Sequence, residues 1–178
     1  MTARTLAFID HLPESLKFGE NGLSAQCVRL KTILLDEIMQ RASQGCDTFY
    51  CQAARGMGII FGHQVLLVKA LAYPEIKLIC VVPDEARTRA WPENWQDRRF
   101  RLLKQSDDMV LISNGHTCGC DRRLNRYMVD RADVLLTLCD ESCCDDTAYA
   151  VAYARGRDRE IVRIDPRTLD RTAGEPPK

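Results

Sequence analysis

Hydrophobic residues along the chain form two alternating patterns: short runs rich in β-branched residues, and longer segments with apolar positions every three or four residues. The short runs predict strands at residues 5–9, 48–52, 77–82, 109–113, 134–139 and 160–164. The longer segments predict amphipathic helices, the first capped by Ser24 and ended by Gly45. Because parallel strands need crossover connections, this alternation predicts an α/β fold: a single doubly wound, mainly parallel sheet of about six strands, with helices on both faces.

The length of 178 residues is typical of one domain, and no linker or repeat divides the chain. We predict that residues 1–165 form this domain and that residues 166–178, rich in Pro, Thr and charge, form a flexible C-terminal tail. Every apolar run is far shorter than the roughly 20 residues that a membrane helix needs. We therefore expect no membrane partner.

Charge and cysteine content narrow the expected environment. The 25 Lys and Arg balance the 25 Asp and Glu, which argues against nucleic acid as the default partner. Acidic residues also lie among the basic residues of the stretch around Trp91 and Trp95, which favours a solvated face or a protein interface there. The nine cysteines are odd in number and no leader-like segment opens the chain, so we expect reduced thiols and a cytoplasmic location.

The predicted sheet directs attention to one edge. Ligands of doubly wound sheets bind beyond the carboxyl ends of the strands. In this chain those positions are residues 10–13, 53–58, 83 onward, 114–120 and 140–146. A small-molecule site, if present, is expected among these segments.

Motifs in these segments resemble the SLOG superfamily, and the YpsA-like branch most closely. The resemblance runs from about residue 5 to residue 165 and rests on Asp10-His11-Leu12-Pro13, on Ala54-Arg55-Gly56, on Asn125-Arg126-Tyr127-Met128-Val129-Asp130-Arg131-Ala132-Asp133 and on Thr147-Ala148-Tyr149. It implies a Rossmann-like sheet and a pocket for a nucleotide-derived ligand in a family of unknown biochemical activity. Superfamily relatives include phosphoribohydrolases and a DNA-processing protein, so the fold alone leaves the activity open.

The departures from the family pattern are equally informative. Where the family has Thr-Gly-His-Arg-Pro after the first strand, this chain has Asp10 for the glycine and Leu12 for the arginine. Its second turn lacks both leading glycines and the acid, and Asp145 and Asp146 replace the Gly-Gly before Thr147. The resemblance implies a ligand pocket formed by Asp10, His11, Ala54, Arg55, Gly56, Arg126, Asp146 and Thr147.

The two acids before Thr147 change the chemistry of a helix N-terminus. Its unpaired N–H groups hold a phosphate when glycines let the ligand approach. An aspartate at the same place occupies those donors, stabilises the helix by roughly 0.5–2 kcal/mol and repels a phosphate. We therefore favour capping and solvated acids at Asp145 and Asp146, unless a metal or a cationic ligand binds there.

Cysteines near the predicted strand ends raise the alternative of a metal site. Cys118, Cys120, Cys143 and Cys144 supply enough soft ligands for a tetrahedral zinc ion. Cys-x-Cys and Cys-Cys are weaker signals than paired Cys-x-x-Cys, and buried or reactive thiols are the more common outcome. Zinc therefore stays a secondary expectation.

Arginines on the predicted fourth helix are further candidates. Arg126 shares a face with Arg122, so guanidinium groups could reach an anion at the sheet edge. Alternatively, Arg126 and Asp130 brace each other as an i,i+4 pair.

Three functions fit the sequence. The first, which we favour, is a ligand-sensing or regulatory protein whose phosphate-binding pocket is altered. The second is hydrolysis of a nucleotide N-glycosidic bond. The resemblance implies that this reaction needs a Pro-Gly-Gly-x-Gly-Thr-x-x-Glu turn, and in this chain Ala150 stands at the position of the glutamate. The third is a ligand-free interaction scaffold or zinc-binding module, with a protein partner or a second copy of the chain as its target.

Overall fold

A seven-stranded sheet forms the centre of the computed structural model, which describes residues 4–10, 24–83, 86–113, 119–140 and 145–174. The strands lie in the order β4-β3-β2-β1-β5-β6-β7. All ladders are parallel except the one between β6 and β7. The bounds of the strands are β1 Arg4–Asp10, β2 Cys46–Gln52, β3 Lys77–Val82, β4 Asp108–Leu111, β5 Val134–Leu138, β6 Glu160–Ile164 and β7 Arg171–Ala173.

Five α-helices of the described chain cover both faces of the sheet and confirm the predicted fold class. One face carries α1, α2 and α3, and the other carries α4 and α5. A short 3₁₀ helix, Ala86–Ala90, precedes α3. The bounds of the α-helices are α1 Ala25–Ser43, α2 Met57–Leu71, α3 Glu93–Gln105, α4 Cys120–Arg131 and α5 Asp146–Arg155.

The strand order reverses at β1. From β1 the chain adds β2, β3 and β4 on one side, then crosses back and places β5 on the other side of β1. Right-handed crossovers put the connecting helices on opposite faces for the two directions, which is why α1–α3 and α4–α5 are segregated. The carboxyl ends of all six parallel strands consequently lie at one edge of the sheet.

Local signals fix the helix ends near their predicted positions. Ser24 caps α1, since its hydroxyl accepts from the Cys27 N–H at 3.2 Å.

The core between α2 and the sheet includes Phe8 and Phe61, stacked with ring centroids 4.3 Å apart. Gly62 lets α3 approach α2, because a Cβ at Gly62 would lie 2.8 Å from a methyl group of Leu102. Nothing larger fits there without movement.

A seventh strand adds to the six that were predicted and lies within residues 166–178, the segment predicted to be a tail. β7 pairs antiparallel with β6, with Thr172 opposite Arg163. Arg171 also forms a bidentate ion pair with the buried Glu37 of α1, at 2.8 and 3.2 Å. The Arg-Thr-Ala sequence of β7 has no hydrophobic pattern that would predict a strand. The strand forms because the ion pair with Glu37 and the pairing with β6 stabilise it.

Among the described residues, no helix is long and apolar enough to cross a membrane.

Candidate functional site

A cavity of about 250 Å³ lies beyond the carboxyl ends of β2 and β3, at the edge where the doubly wound fold predicts a ligand. Its lining combines cations, a carboxylate, an indole and an amide, which is the mixture of polar anchors and aromatic surface that small-molecule sites use. The residues that line it are Gln52, Ala53, Ala54, Arg55, Pro83, Thr88, Trp91, Arg99, Asp121 and Leu124.

The turn after β2 forms one wall of this cavity. Gly56 has φ +116°, a conformation that L side chains rarely adopt, so the chain can turn sharply into α2. Two residues later, a Cβ on Gly58 would clash with the backbone carbonyl of Gln52. These glycines hold the start of α2 against the end of β2 and place Ala54 and Arg55 at the mouth of the cavity.

An indole flanked by two guanidinium groups lies beside this turn. Trp95 of α3 is 7% exposed, and the Arg55 and Arg98 guanidinium carbons lie 6.0 and 5.0 Å from its ring centroid. Cation–π contacts of this kind orient an arginine while leaving its N–H donors available to other groups. Arg55 therefore keeps a positive charge at the cavity without being buried.

A buried amide connects the cavity to the N-terminus of α5. Asn125 of α4 is 2% exposed; its Oδ1 accepts from Gln52 Nε2 at 2.6 Å and its Nδ2 donates to the Asp146 carbonyl at 2.9 Å. Only a side chain that both accepts and donates can make these two contacts. Asn125 begins the family-like block 125–133, but its role does not follow from the sequence, because its partners come from β2 and α5.

The N-terminus of α5 is occupied by the chain's own acids. Asp145 is the N-cap and accepts from the Thr147 N–H at 2.9 Å. Asp146, the first helical residue, pairs with Arg122 at 2.9 Å. The buried Thr147 donates to the Asp10 carbonyl at 3.3 Å, which ties α5 to the end of β1.

Arg126 lies elsewhere. It is exposed on α4 and its guanidinium lies 5.2 Å from the Tyr153 ring of α5. A hydrogen bond to Tyr153 raises the pKa of Arg126. Tyr153 in turn donates to Asp130 at 2.9 Å. Arg126 is therefore part of an arginine–tyrosine surface between α4 and α5, and it does not line the cavity.

The described thiols are buried. Cys120 donates to the Pro83 carbonyl at 2.9 Å, which joins the start of α4 to the end of β3. Burial raises the pKa of Cys46 to about 12 and also raises the pKa of Cys139, so both stay protonated and unreactive. In the part of the chain that the structure describes, no three His, Cys, Asp or Glu residues are grouped to hold a metal. Cys118, Cys143 and Cys144 lie outside the described residues.

The predicted site residues thus fall into three groups. Ala54 and Arg55 line the cavity, and Gly56 turns the chain beside them. Thr147 and Asp10 connect α5 with β1, and Asp146 connects α5 with α4. Arg126 packs on the outer surface. His11 lies outside the described residues. Thr88, Trp91 and Arg99 also line the cavity; the sequence indicated only the segment from residue 83 onward and none of these three as a site residue.

The fold and the cavity define a Rossmann-like α/β protein with a polar crevice at the carboxyl edge of its sheet. Residues 18–169 match the YpsA family model, described as the YspA SLOG family. A UPF0398 protein of Shouchella clausii (strain KSM-K16) is 32% identical over 145 residues, covering 80% of this chain and 77% of that protein. The chain belongs to this SLOG family.

Two further similarities are more limited. Over 142 residues the chain is 29% identical to a DNA-directed RNA polymerase subunit beta' of Chromohalobacter salexigens, covering 79% of this chain and 9% of that protein. A solved structure of DNA processing protein A from Helicobacter pylori, reported for its single-stranded DNA binding mode, has a TM-score of 0.60 and 12% identity. That match covers 93% of this chain and 70% of the other, and it supports the shared fold.

Proposed function

We propose that this protein is a cytoplasmic ligand-sensing or regulatory module that binds a small phosphorylated, nucleotide-derived molecule in the cavity beyond β2 and β3. The observation that carries the proposal is the pair of arginines, Arg55 and Arg99, lining the same cavity as the indole of Trp91. Guanidinium groups bind phosphate through charge-assisted hydrogen bonds, and an indole offers a stacking surface to a base.

The remaining polar groups suit the rest of such a ligand. Asp121 contributes a carboxylate that accepts hydrogen bonds from sugar hydroxyl or base amino groups. Gln52 contributes an amide whose position is set by its hydrogen bond to Asn125. The cavity thus presents cations for a phosphate together with neutral and acidic groups for the nucleoside.

The occupied N-terminus of α5 supports sensing over hydrolysis. A ligand phosphate at that helix would compete with the Asp145 cap and meet the charges of Asp145 and Asp146. Asp145 and Asp146 stand where the family has two glycines, and Thr147 is engaged by Asp145 and Asp10. We place the phosphate at Arg55 and Arg99 instead.

Calorimetric titration of the full chain with AMP, adenosine and inorganic phosphate tests the proposal. We expect AMP to bind more tightly than either fragment, because only AMP uses both the arginines and the indole. Arg55→Gln should weaken AMP binding about 10-fold or more, since a hydrogen bond to a charged group contributes roughly 1.5–3 kcal/mol. Arg89→Gln, an exposed arginine of the 3₁₀ helix that does not line the cavity, is the matched control.

A thermal-shift panel of nucleotides, ADP-ribose, zinc and a single-stranded oligonucleotide extends the test. Absence of a response to every nucleotide and to ADP-ribose would overturn the proposal. Stabilisation by zinc alone would favour the metal-binding alternative. Tighter binding of the oligonucleotide than of AMP, reduced by Arg55→Gln, would instead favour a nucleic-acid ligand like that reported for DNA processing protein A.

A further inference from the structure

Helix α3 and strand β4 both carry exposed apolar side chains. Of the large hydrophobic residues exposed in the described chain, Phe100, Met109 and Leu111 lie here, with 68%, 46% and 36% exposure. Met109 pairs with Cys80 and Leu111 with Val82, and both partners belong to the core on the α1–α3 side. Since paired residues of a parallel ladder point to the same face, Met109 and Leu111 lie on the face that α3 covers.

The position of β4 in the sheet leaves this surface at its edge. β4 is the terminal strand and pairs with β3 alone. The Met109 N–H donates to the Asp108 carboxylate at 2.8 Å, so that N–H is not available to a further strand. An interaction here would therefore depend on side chains more than on extension of the sheet.

The exposed stripe of α3 has a charge pattern that complements itself. Glu93, Asp97, Arg101 and Lys104 are all exposed and follow one another at helical spacings of three and four residues. Phe100 is also exposed and belongs to the same stripe, three residues after Asp97 and four before Lys104. The acids occupy the N-terminal half, the bases the C-terminal half, and Phe100 lies near the middle. No ion pair within the described residues uses any of the four charged side chains.

We propose that this α3–β4 surface binds a second copy of the chain around a two-fold axis. The axis would set the two α3 helices antiparallel, so that Asp97 of each copy faces Arg101 of the other, and Glu93 faces Lys104. Phe100, Met109 and Leu111 of both copies would form the apolar centre. An isologous interface requires such self-complementarity, and aromatic and arginine side chains are the residues that commonly anchor interfaces.

This arrangement would also support the cavity wall. Arg99 of α3 lines the cavity, and the adjacent Phe100 is exposed on the outer stripe. A partner that holds α3 in place would thus act on a residue next to a cavity-lining arginine. The proposal itself rests on the surface alone and does not depend on the ligand.

Sedimentation velocity over a concentration series tests the proposal on the full chain. We expect the wild type to form a dimer, and Met109→Lys to sediment as a monomer at every concentration. Asp97→Lys and Arg101→Asp should each give monomers, because like charges then face each other across the axis. An equimolar mixture of these two variants should recover the dimer, since each lysine then meets an aspartate.

The same sedimentation experiments include a control variant and results that would contradict the proposal. Arg29→Asp, on the exposed side of α1, should leave the dimer intact. Circular dichroism verifies that each variant is folded. A wild type that stays monomeric overturns the proposal, as does a dimer unaffected by Met109→Lys. Failure of the mixed variants to associate overturns the antiparallel arrangement of α3.

Discussion

The two edges of the sheet end in opposite ways. The β7 edge is short, polar and antiparallel, and buried charges join it to α1. The β4 edge is parallel and carries exposed methionine and leucine side chains. Sheet edges are sites of unwanted association unless they are covered, charged or paired. The two edges therefore differ in that ion pairs hold β7 to the rest of the chain, whereas apolar side chains stay exposed on β4.

A five-residue ion network completes the β7 edge. Arg41 is 6% exposed and pairs with Glu37 and with Glu160, each at 2.8 Å. Glu37 also binds Arg171, and Glu160 also binds Arg4 at 3.0 Å. Burial alone would raise the pKa of Glu37, but hydrogen bonds from Arg171 and Arg41 outweigh it and lower that pKa.

Removing the centre of this network should have the largest effect on stability. Glu37→Ala leaves the buried Arg41 with only Glu160 and leaves Arg171 without its partner. We expect a loss of about 3–5 kcal/mol in the free energy of unfolding, as for other broken buried pairs. Urea denaturation measures it, with Asp36→Asn, at the exposed neighbouring position of α1, as the control. A loss no larger than that of the control would show that the network contributes little.

Acidification should weaken the same edge. The folded-state pKa values of Glu37 and Glu160 are both lowered. Their contribution is therefore complete above the unfolded pKa of about 4.3 and is lost as pH falls through the lower folded values. We expect urea midpoints of the wild type to fall more steeply below about pH 4 than those of Glu37→Gln. Parallel curves for the two proteins would contradict this assignment.

Arg171→Ala should have an intermediate effect. It removes the bidentate contact to Glu37 but leaves the Glu37–Arg41 pair, so we expect a loss of about 1–2 kcal/mol. Hydrogen exchange should quicken in β7 and on the side of β6 that pairs with it. Arg29→Ala on α1 is the control for loss of an exposed arginine. Unchanged exchange in β7 would show that strand pairing alone holds this edge.

We expect the smallest effect on the stability of the monomer from a substitution at the β4 edge. Leu111→Lys replaces a side chain that is 36% exposed, so it should lower the unfolding free energy of the monomer by about 1 kcal/mol. The measurement is made at low protein concentration, where association contributes little. A larger loss would mean that Leu111 supports the core more than its exposure indicates.

The periodic pattern predicted the fold because burial of apolar faces decides it. The predicted strands at 77–82 and 160–164 coincide with β3 and β6. β7 was not predicted, because the strand depends on the contact between its Arg171 and Glu37, a residue far away in the sequence. The same reason applies to the site: Gln52, Asn125 and Asp146 meet only after three separate elements pack together. Local sequence predicts elements, whereas contacts between distant polar residues require the assembled fold.

The reversal of strand order at β1 has a consequence for synthesis of the protein on the ribosome. Of the helices that the structure describes, α1, α2 and α3 precede β4 and lie on one face, and α4 and α5 follow it and lie on the other. Until α4 and α5 emerge, the nascent sheet would expose apolar residues such as Ala7, Ile9 and Val81 to the solvent. Exposed surface of this kind makes partly made chains prone to aggregate. The residues that follow β4 would therefore cover a face of the sheet that the earlier residues leave open.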